Sequence, residues 1–376
     1  MEPFVYDARP GRVVFAAGAS RTQLADELGR LGAQRVLLIC SPRDAALAAD
    51  LAQPFADRVA GTCTAVRAHV PLALAEQARV QAQALGADAL LALGGGSAIG
   101  LAKAVALTSM LPIIAVPTTY AGSEMTPIYG ITAGQDKTTG RSLAVLPRVV
   151  VYDPVLTLSL PAQIAAPSAM NALAHCVEAL YAPAANPLTT LLAEAGIRAL
   201  ASGAPQVVAN PADLAARSTT LYGAYLAGAA LASAGTSLHH KLCHILGGAY
   251  DLPHAELHSV LLPHVVAFLA PALPEPMARI VRALSGQFSA GLRLADLTPR
   301  PPLQRGEGEE SQLTASTAII ALAAALGVPR SLRDIGLHAD QLASAADRVF
   351  ANLNAAFPRQ PTRDDVHALL TAAMSR

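Results

Sequence analysis

The 376-residue chain has no tryptophan, and aromatic residues make up only 4% and charged residues 14% of it. Lysine and arginine together number 27, as do aspartate and glutamate, so the formal net charge is zero. Proteins that bind nucleic acid through its phosphates need a basic surface, so a net charge of zero argues against a nucleic-acid partner. The length instead predicts two domains, each able to bury its own core.

Cysteine is scarce too: the chain has four, and none is spaced as Cys-x-x-Cys. We expect reduced thiols in a cytoplasmic protein. No run of about 20 apolar residues is free of polar or helix-breaking residues, and the N-terminus lacks a basic stretch before an apolar core, so neither a membrane span nor a signal peptide is predicted. Apolar residues make up 53%, largely alanine and leucine, which favours a helix-rich chain and an oligomer.

Over the first 150 or so residues, strand-like apolar runs alternate with helical spacing. The predicted strands include 12–18, 35–41, 64–70, 89–97 and 111–119, and Ser20 is predicted to cap the first helix. This alternation indicates βαβ units around a parallel sheet, whose ligands bind at the carboxyl ends of the strands.

From about Pro161 the chain becomes rich in alanine and leucine at helical spacing, with few β-branched runs. We therefore divide it into an α/β domain, 1–155, and an all-helical domain, 156–376. Residues 297–312 are rich in proline, glycine and charge, which predicts a flexible surface insertion.

A glycine-rich turn follows one of the predicted strands: Gly94, Gly95, Gly96 and Ser97 stand between a strand and a helix. Glycine lets the backbone approach a phosphate, and the N–H groups at the following helix terminus bind the anion. The context predicts a diphosphate site, at a later strand than in an ordinary Rossmann domain. The alternative is a tight turn that merely packs close to the sheet.

The next strand leads into a loop with the hydroxyl residues Thr118, Thr119 and Ser123. Such a loop can hydrogen-bond a ribose or a nicotinamide amide, although ordinary turn chemistry explains it equally well when it is taken alone. Its position after the glycine-rich turn favours a cofactor role.

The strand over 35–41 ends with the uncharged Cys40 and Ser41, and Arg43 is close. A carboxylate at this point would bind the ribose 2′-hydroxyl of NAD and repel the 2′-phosphate of NADP. Its absence predicts relaxed selectivity, with NADPH accepted as well as NADH.

Six of the ten histidines fall in one short stretch: His239, His240, His244, His254, His258 and His264. His240 and His244 are four apart and share one helix face, and His254 follows a loop that can fold back on that helix. Because histidine titrates near neutral pH, the cluster predicts an active site.

A helix is also predicted for 168–182, where Asn171 and His175 are four apart. An aspartate at position 171 would make half of a metal site with that histidine. The amide indicates either a broken metal site or a site built for chemistry without metal.

Long segments resemble the group III, iron-containing alcohol dehydrogenase superfamily, and most closely its maleylacetate reductase branch. The matching segments include GGGSAIGLAKAVAL, PTTYAGSEMTPIYGIT, NALAHCVEALYA and HHKLCHILGGAYDLPHAE. The resemblance implies a Rossmann-like N-terminal α/β NAD(P)-binding domain and an all-helical catalytic domain, with the site between them, in a homodimer. Residues 297–312 have no counterpart and look inserted.

In metal-dependent members of that superfamily an Asp and three His hold the metal. The matching positions here are Asn171, His175, His240 and His254. His244 matches a further histidine of the cleft. Those members also carry an Asp where this chain has Gly100, while Lys103 is kept. Both departures resemble the branch whose members generally work without metal.

The resemblance therefore implies NADH or NADPH, no metal, and a small dicarboxylate substrate, maleylacetate, whose C=C bond is reduced to give 3-oxoadipate. The expected cofactor residues are Ser41, Gly94, Gly95, Gly96, Ser97, Lys103, Thr118, Thr119 and Ser123. The expected catalytic residues are His175, His240, His244, His254 and Tyr120, and the expected substrate contacts are Asn171, His175, His240 and His254.

Without a cation beside them, the histidines are expected to become protonated near neutral pH and so to bind carboxylates. Arg141 and Lys241 are second-rank candidates for carboxylate contact, each also interpretable as a solvated surface charge. Three alternatives stay open: a metal-dependent alcohol dehydrogenase or aldehyde reductase of the same superfamily, a synthase or lyase resembling dehydroquinate synthase, and a non-catalytic protein.

Overall fold

The structure is a computed structural model, and it describes Phe4, Tyr6 and residues 11–134, 136–288 and 313–375. The predicted insertion over 297–312 lies outside these described residues.

Eight strands are present in the described chain: β1 (Arg12–Phe15), β2 (Val36–Cys40), β3 (Val59–Cys63), β4 (Ala89–Gly94), β5 (Ile113–Pro117), β6 (Ile128–Ala133), β7 (Asp136–Arg141) and β8 (Val149–Tyr152). Six of them form a parallel sheet in the order β1-β8-β5-β4-β2-β3, and β6 pairs with β7 as an antiparallel hairpin. Every residue of β2, β4 and β5 is buried, as expected for a parallel sheet covered on both faces.

The helices of the first part are α1 (Ala19–Thr22), α2 (Leu24–Arg30), α3 (Ala45–Ala52), α4 (Leu72–Ala84) and α5 (Gly96–Ser109). Apolar residues of α2 and α3 pack on one face of the sheet, and those of α4 and α5 pack on the other. Since β3 and β4 lie on opposite sides of β2, the chain reverses its direction across the sheet there. Such a reversal opens a crevice between the loops that follow β2 and β4.

From residue 162 the described chain is helical: α6 (Ala162–Ala179), α7 (Pro187–Ala209), α8 (Leu214–Ala234), α9 (Leu238–Tyr250), α10 (His254–Leu269), α11 (Pro274–Phe288), α12 (Ala315–Leu326), α13 (Leu342–Ala351) and α14 (Arg363–Met374). All residues of α6 from Ala165 to Ala179 are buried, and α6 packs against α7, α8 and α10. An α/β part followed by a helical part confirms the predicted fold class.

Three local predictions are wrong. The segment 64–70 is a loop and not a strand, because the strand comes earlier in the chain, as β3, and the loop ends with positive φ at His69 and Val70. Ser20 lies inside α1, which Gly18 caps, and its hydroxyl donates to the Asp153 carboxylate. The β6–β7 hairpin was not predicted at all.

One described stretch, His254–Ala272, is long and apolar enough to cross a membrane by length and composition. Most of it is α10, which packs against α6, α9 and α12, and 56% of the stretch is buried inside the protein. Its apolar character is therefore accounted for by its place in the core.

Two glycines bring the loop after β5 against α8. A Cβ at Gly228 of α8 would lie 2.7 Å from the Gly122 carbonyl oxygen and 3.0 Å from the Met125 Cβ. Gly122 has a φ of 75°, and a Cβ there would lie 3.4 Å from His175 Nδ1. The contact between sheet and helices thus has no room for side chains at these two positions.

We predict that Gly228→Ala lowers the free energy of unfolding by about 1–3 kcal/mol, because the new methyl group overlaps backbone that has little freedom to move. Chemical denaturation measures this. Gly248→Ala in α9 is the control, since a Cβ there meets nothing within 4 Å. Equal stability of the two variants would contradict the prediction.

Candidate active site

Two cavities meet at the carboxyl end of the sheet. The smaller, of about 300 Å³, lies between the loops that follow β2, β4 and β5. The larger, of about 680 Å³, lies between the β6–β7 hairpin and helices α6, α8, α9 and α10. Both are lined by Gly96 and Ser97, so a ligand bound in one can reach into the other.

The smaller cavity brings together most of the predicted cofactor residues: Ser41, Gly95, Gly96, Ser97, Thr118 and Thr119. Gly94 has a φ of 142°, and a Cβ on Gly95 would lie 2.9 Å from the Thr119 Cγ2, so the turn depends on glycine at both positions. The 14-residue helix α5 begins at Gly96, and its N-terminal N–H groups make this end a favourable place for an anion.

A carboxylate lies in the smaller cavity, close to the end of β2. Asp44 lines the smaller cavity together with Arg43, and it accepts a hydrogen bond of 2.6 Å from the Ser41 hydroxyl. A negative charge therefore stands in the cleft near the residue where the sequence alone indicated none. The prediction that NADPH is accepted as well as NADH assumed an uncharged strand end, and the structure places the Asp44 carboxylate three residues after Ser41.

Lys103 does not have the free ammonium group expected of a cofactor ligand. It is fully buried, and its Nζ donates to the carbonyls of Ser123, Thr126 and Ile128 at 2.6, 2.7 and 2.8 Å, and to the Thr126 hydroxyl at 3.0 Å. An ammonium has three hydrogens, so none is left for a cofactor. Burial lowers the pKa of Lys103 to about 7, and the nearby Glu124 carboxylate opposes this shift. Lys103 holds the Ser123 loop in place, and Ser123 itself lines the larger cavity.

Tyr120 is also misassigned as a catalytic residue. It is fully buried and does not line either cavity. Burial raises the pKa of its phenol, and the neighbouring Arg217 and Thr157 oppose the shift. Its backbone N–H donates to the Ser168 hydroxyl of α6, so Tyr120 connects the loop to the helix.

Helix α6 presents Asn171, His175 and Glu178 on one face, because the three are spaced by four and three residues. Asn171 and His175 line the larger cavity, as predicted, while Glu178 lies behind it with no exposed surface. Sequence reasoning missed Glu178, although an acid three residues after His175 in an otherwise apolar helix was a usable signal.

Six imidazoles form a contiguous cluster in which each ring centroid lies 4.4–6.0 Å from another: His175, His239, His240, His244, His254 and His258. The four histidines predicted to be catalytic, His175, His240, His244 and His254, line the larger cavity. His239 and His258 lie beneath them and are fully buried. His258 had no assigned role, although its spacing of four from His254 places both on one face of α10.

Glu178 fixes the orientation of His240. Its carboxylate accepts hydrogen bonds from the backbone N–H groups of Ser237, His239 and His240, and it lies 2.5 Å from His240 Nδ1. Because the carboxylate is the acceptor of all these contacts, Nδ1 carries the hydrogen and Nε2 is left as the acceptor of the ring. Burial raises the pKa of Glu178, and the neighbouring His239 and the backbone N–H groups oppose the shift.

The expectation that these histidines are protonated near neutral pH is wrong for the buried ones. Burial lowers the pKa of His175, His240 and His258 well below 6.5, and neighbouring imidazoles lower it further. Burial also lowers the pKa of His239 to about 4, although the Glu178 carboxylate opposes this shift. These rings are therefore neutral at pH 7, and they offer hydrogen bonds rather than positive charge.

Arg141 and Lys241, the two further candidates for contact with a substrate carboxylate, lie in different places. Arg141, at the end of β7, lines the larger cavity, whereas Lys241 and His264 do not. Among the described residues that line this cavity there is no aspartate or glutamate.

Comparison with known proteins establishes the family. The model of the iron-containing alcohol dehydrogenases matches residues 10–154, and that of the C-terminal part of the Fe-containing alcohol dehydrogenase family matches residues 165–374. The chain therefore belongs to the iron-containing alcohol dehydrogenase family, as its segments predicted.

Relatives of known name cover almost the whole chain. A maleylacetate reductase from Sphingobium indicum is 44% identical over 99% of this chain and 97% of its own length. The crystal structure of maleylacetate reductase from Agrobacterium tumefaciens is 41% identical, with a TM-score of 0.89 over 100% of this chain and 99% of the other. An iron-containing alcohol dehydrogenase from Corynebacterium glutamicum is 40% identical, with a TM-score of 0.89 over 100% and 97%.

The family name implies a bound metal ion. Whether the cavity suits one depends on the donor atoms of Asn171, His175 and His240. Asn171 Oδ1, His175 Nδ1 and His240 Nε2 are buried and make no hydrogen bond within the described chain. Imidazole nitrogens with an oxygen are donors that fit a divalent ion such as zinc or ferrous iron. No aspartate or glutamate is present among the described lining residues to balance the charge of such an ion. Glu178 does not line the cavity and contacts His240 behind it.

We predict that Glu178→Gln lowers the free energy of unfolding by about 1–3 kcal/mol, because its amide NH₂ faces buried N–H donors of Ser237 and His240. Denaturant titration followed by circular dichroism measures the change. Glu76→Gln, at an exposed position of α4, removes the same charge and is expected to have little effect. Two variants of equal stability would show that Glu178 does not hold α9.

Proposed function

We propose that the protein reduces the C=C bond of maleylacetate, a 4-oxo-enedioate, to give 3-oxoadipate, with a nicotinamide cofactor as the hydride donor. The observation that carries the proposal is the lining of the larger cavity: the Asn171 amide, a group of imidazoles of which the buried His175 and His240 are neutral, and one arginine, without a described carboxylate. The names of relatives about 44% identical over nearly the full chain support the same substrate.

The cofactor is proposed to place its diphosphate at Gly94–Ser97, beneath the N-terminus of α5, in the smaller cavity. Because Gly96 and Ser97 also line the larger cavity, the nicotinamide can extend from there towards the histidines. NADH is favoured over NADPH, since the Asp44 carboxylate would repel a 2′-phosphate.

The reaction adds hydride to the alkene carbon β to the ketone. The alkene electrons then move onto the ketone oxygen to form an enolate, and a proton delivered to the α carbon completes the reduction. An enolate is less basic than the alkoxide formed from a simple aldehyde, so hydrogen-bond donors can stabilise it without a Lewis acid.

The histidines supply those hydrogen bonds in the proposal. His240 is oriented by Glu178, which leaves its Nε2 as the acceptor of the ring. His254 begins the next helix, and the His244 ring lies 6.0 Å from both His240 and His254. His254 is the proposed proton donor to the α carbon, because the ring hydrogen of a neutral His240 is on Nδ1, against Glu178. His175, His240, His244 and Asn171 are proposed to position the substrate. Tyr120 has no part in this scheme.

The second candidate is a metal-dependent alcohol dehydrogenase or aldehyde reductase, favoured by the unpaired donor atoms of Asn171, His175 and His240. An ion held there with His254 would polarise the carbonyl of a simple substrate. We propose that the reduction of maleylacetate does not need it. We also propose that the protein is a cytoplasmic homodimer; a cytoplasmic location is in keeping with its four free, buried cysteines. Within each chain, we propose that the boundary between the α/β domain and the helical domain lies at residue 155.

We predict that the purified protein oxidises NADH when maleylacetate is added, more efficiently than NADPH, and that EDTA leaves the rate unchanged. A simple aldehyde should be reduced slowly or not at all. Absorbance at the nicotinamide band measures each rate. Activity that is confined to the aldehyde and lost with EDTA would instead establish the second candidate.

We predict that His254→Ala lowers kcat by roughly 100-fold or more, the usual effect of removing a general acid, and that His240→Ala also lowers kcat, because the substrate loses the ring that positions it. His367→Ala, an exposed position on α14, is the control and should keep the full rate. Near-normal turnover of both cavity variants would remove these histidines from the chemistry.

A further inference from the structure

Three of the six clustered histidines meet on the inner side of the cluster, and we call them the inner triad: His239, His240 and His258. One ring nitrogen of each lies within 4.8 Å of those of the other two. The ring centroid of His258 is 4.8 Å from that of His239 and 4.5 Å from that of His240. His239 and His258 are fully buried, and 3% of the His240 surface is exposed. The inner triad therefore joins α9 to α10 at the base of the larger cavity.

Four ring nitrogens of the inner triad have no hydrogen-bond partner in the described chain. They are Nδ1 of His239, Nε2 of His240 and both nitrogens of His258, and all of them are buried. Native proteins leave few buried polar atoms unsatisfied, so four in one cluster need a physical explanation. Imidazole nitrogens bind divalent metals such as zinc, and one ion of that kind satisfies several of them at once.

The hydrogen bonds of two of these rings determine which nitrogen has the lone pair. Glu178 lies 2.5 Å from Nδ1 of His240, and the His258 carbonyl lies 3.2 Å from Nε2 of His239. Because a carboxylate and a carbonyl only accept, these two nitrogens carry the ring hydrogens, and the lone pairs are on Nε2 of His240 and Nδ1 of His239. Histidines that bind metals almost always donate their other ring N–H to a carboxylate or a backbone carbonyl. Both rings therefore have the outer hydrogen bond that is typical of a metal ligand.

We infer that the inner triad binds a zinc ion, with a water molecule as the fourth ligand. Each histidine supplies one nitrogen, and zinc–nitrogen bonds of about 2.0–2.1 Å draw the three rings closer together. The Glu178 carboxylate places a negative charge behind His240, which offsets part of the cost of burying a divalent ion. The ion connects α9 with α10 and is structural.

The inner triad is a different site from the one in the cavity lining. His175 and His254 line the larger cavity, whereas His239 and His258 do not. His240 belongs to both groups, and the single lone pair on its Nε2 can bind one ion at a time. An ion in the inner triad therefore takes His240 away from an ion among the lining residues. The inference does not rest on the proposed function, since no step of the reduction passes through this ion.

Zinc content and thermal stability test the inference. The full chain is stripped of metal with a chelator, dialysed against zinc sulfate and then against metal-free buffer, and analysed by plasma mass spectrometry. We expect about one zinc ion per chain, as for a single site with three protein ligands. The zinc-loaded protein should have a higher Tm than the stripped protein, because the ion binds the folded chain.

Variants assign the ion to its ligands. His258→Ala and His239→Ala should each lose the bound zinc and the rise in Tm that it produces. Glu178→Gln should keep a weaker site, with the affinity for zinc lowered by about 10- to 100-fold, the usual effect of removing an outer hydrogen bond of a metal ligand. His264→Ala is the matched control, since His264 lies on α10 but outside the cluster, and it should keep the zinc. His254→Ala removes a residue of the cavity lining and should keep it as well.

A wild-type protein that holds no zinc after loading would overturn the inference. So would zinc that His258→Ala keeps and His254→Ala loses, because the ion would then lie among the lining residues. Circular dichroism checks that each variant is folded. If His258→Ala is not, anomalous scattering from a crystal of the zinc-loaded wild-type protein decides, since the ion must lie between the three rings. Activity on maleylacetate is a separate measurement, so failure of this site and failure of the proposed function are distinguishable.

Discussion

A buried carboxylate joins the two helices on which the cavity depends. Glu178 of α6 accepts the backbone N–H groups of Ser237, His239 and His240, at the N-terminal end of α9. The first N–H groups of a helix have no partner within it, and an acid is the side chain that satisfies them best. Because Glu178 shares a helix face with Asn171 and His175, this contact fixes the position of α9 relative to both, and it orients the His240 ring as well.

A buried lysine has the corresponding role on the side of the sheet. Lys103 of α5 gathers the carbonyls of Ser123, Thr126 and Ile128, which belong to the loop after β5 and to the start of β6. The same loop meets α8 through Gly122 and Gly228. The cofactor turn, the hairpin and the helical part therefore have fixed relative positions, and the cavity between them is set by packing and by two buried ionisable side chains, Glu178 and Lys103.

The elements of this fold were predictable wherever a local pattern decides them. Continuous apolar runs marked β2, β4 and β5, and the glycine run after β4 indicated the anion-binding helix terminus. The residues that were misassigned depend on contacts distant in sequence. Nothing local shows that Tyr120 faces the core, or that Lys103 is surrounded by carbonyls from residues 20 to 25 positions later.

The protonation state of the buried histidines was predicted wrongly for a different reason. Spacing alone brings histidines together, but it does not show how deeply they are buried, and burial disfavours the charged form. His258 and Glu178 illustrate the same limit, since their side chains act on the site from behind its surface. The spacing of four from His254 to His258 and of three from His175 to Glu178 becomes informative only once the helices are packed.

The uncharged, buried surroundings of residue 171 explain why an amide suits this position. A carboxylate in a buried lining of neutral imidazoles would need a cation beside it, because an unpaired buried charge is strongly unfavourable. Asn171 keeps a buried oxygen in that place and carries no charge. A dianionic substrate entering the cavity then meets no negative side chain in its described lining. The same substitution that weakens the site for a cation therefore makes it compatible with the two carboxylates of the proposed substrate.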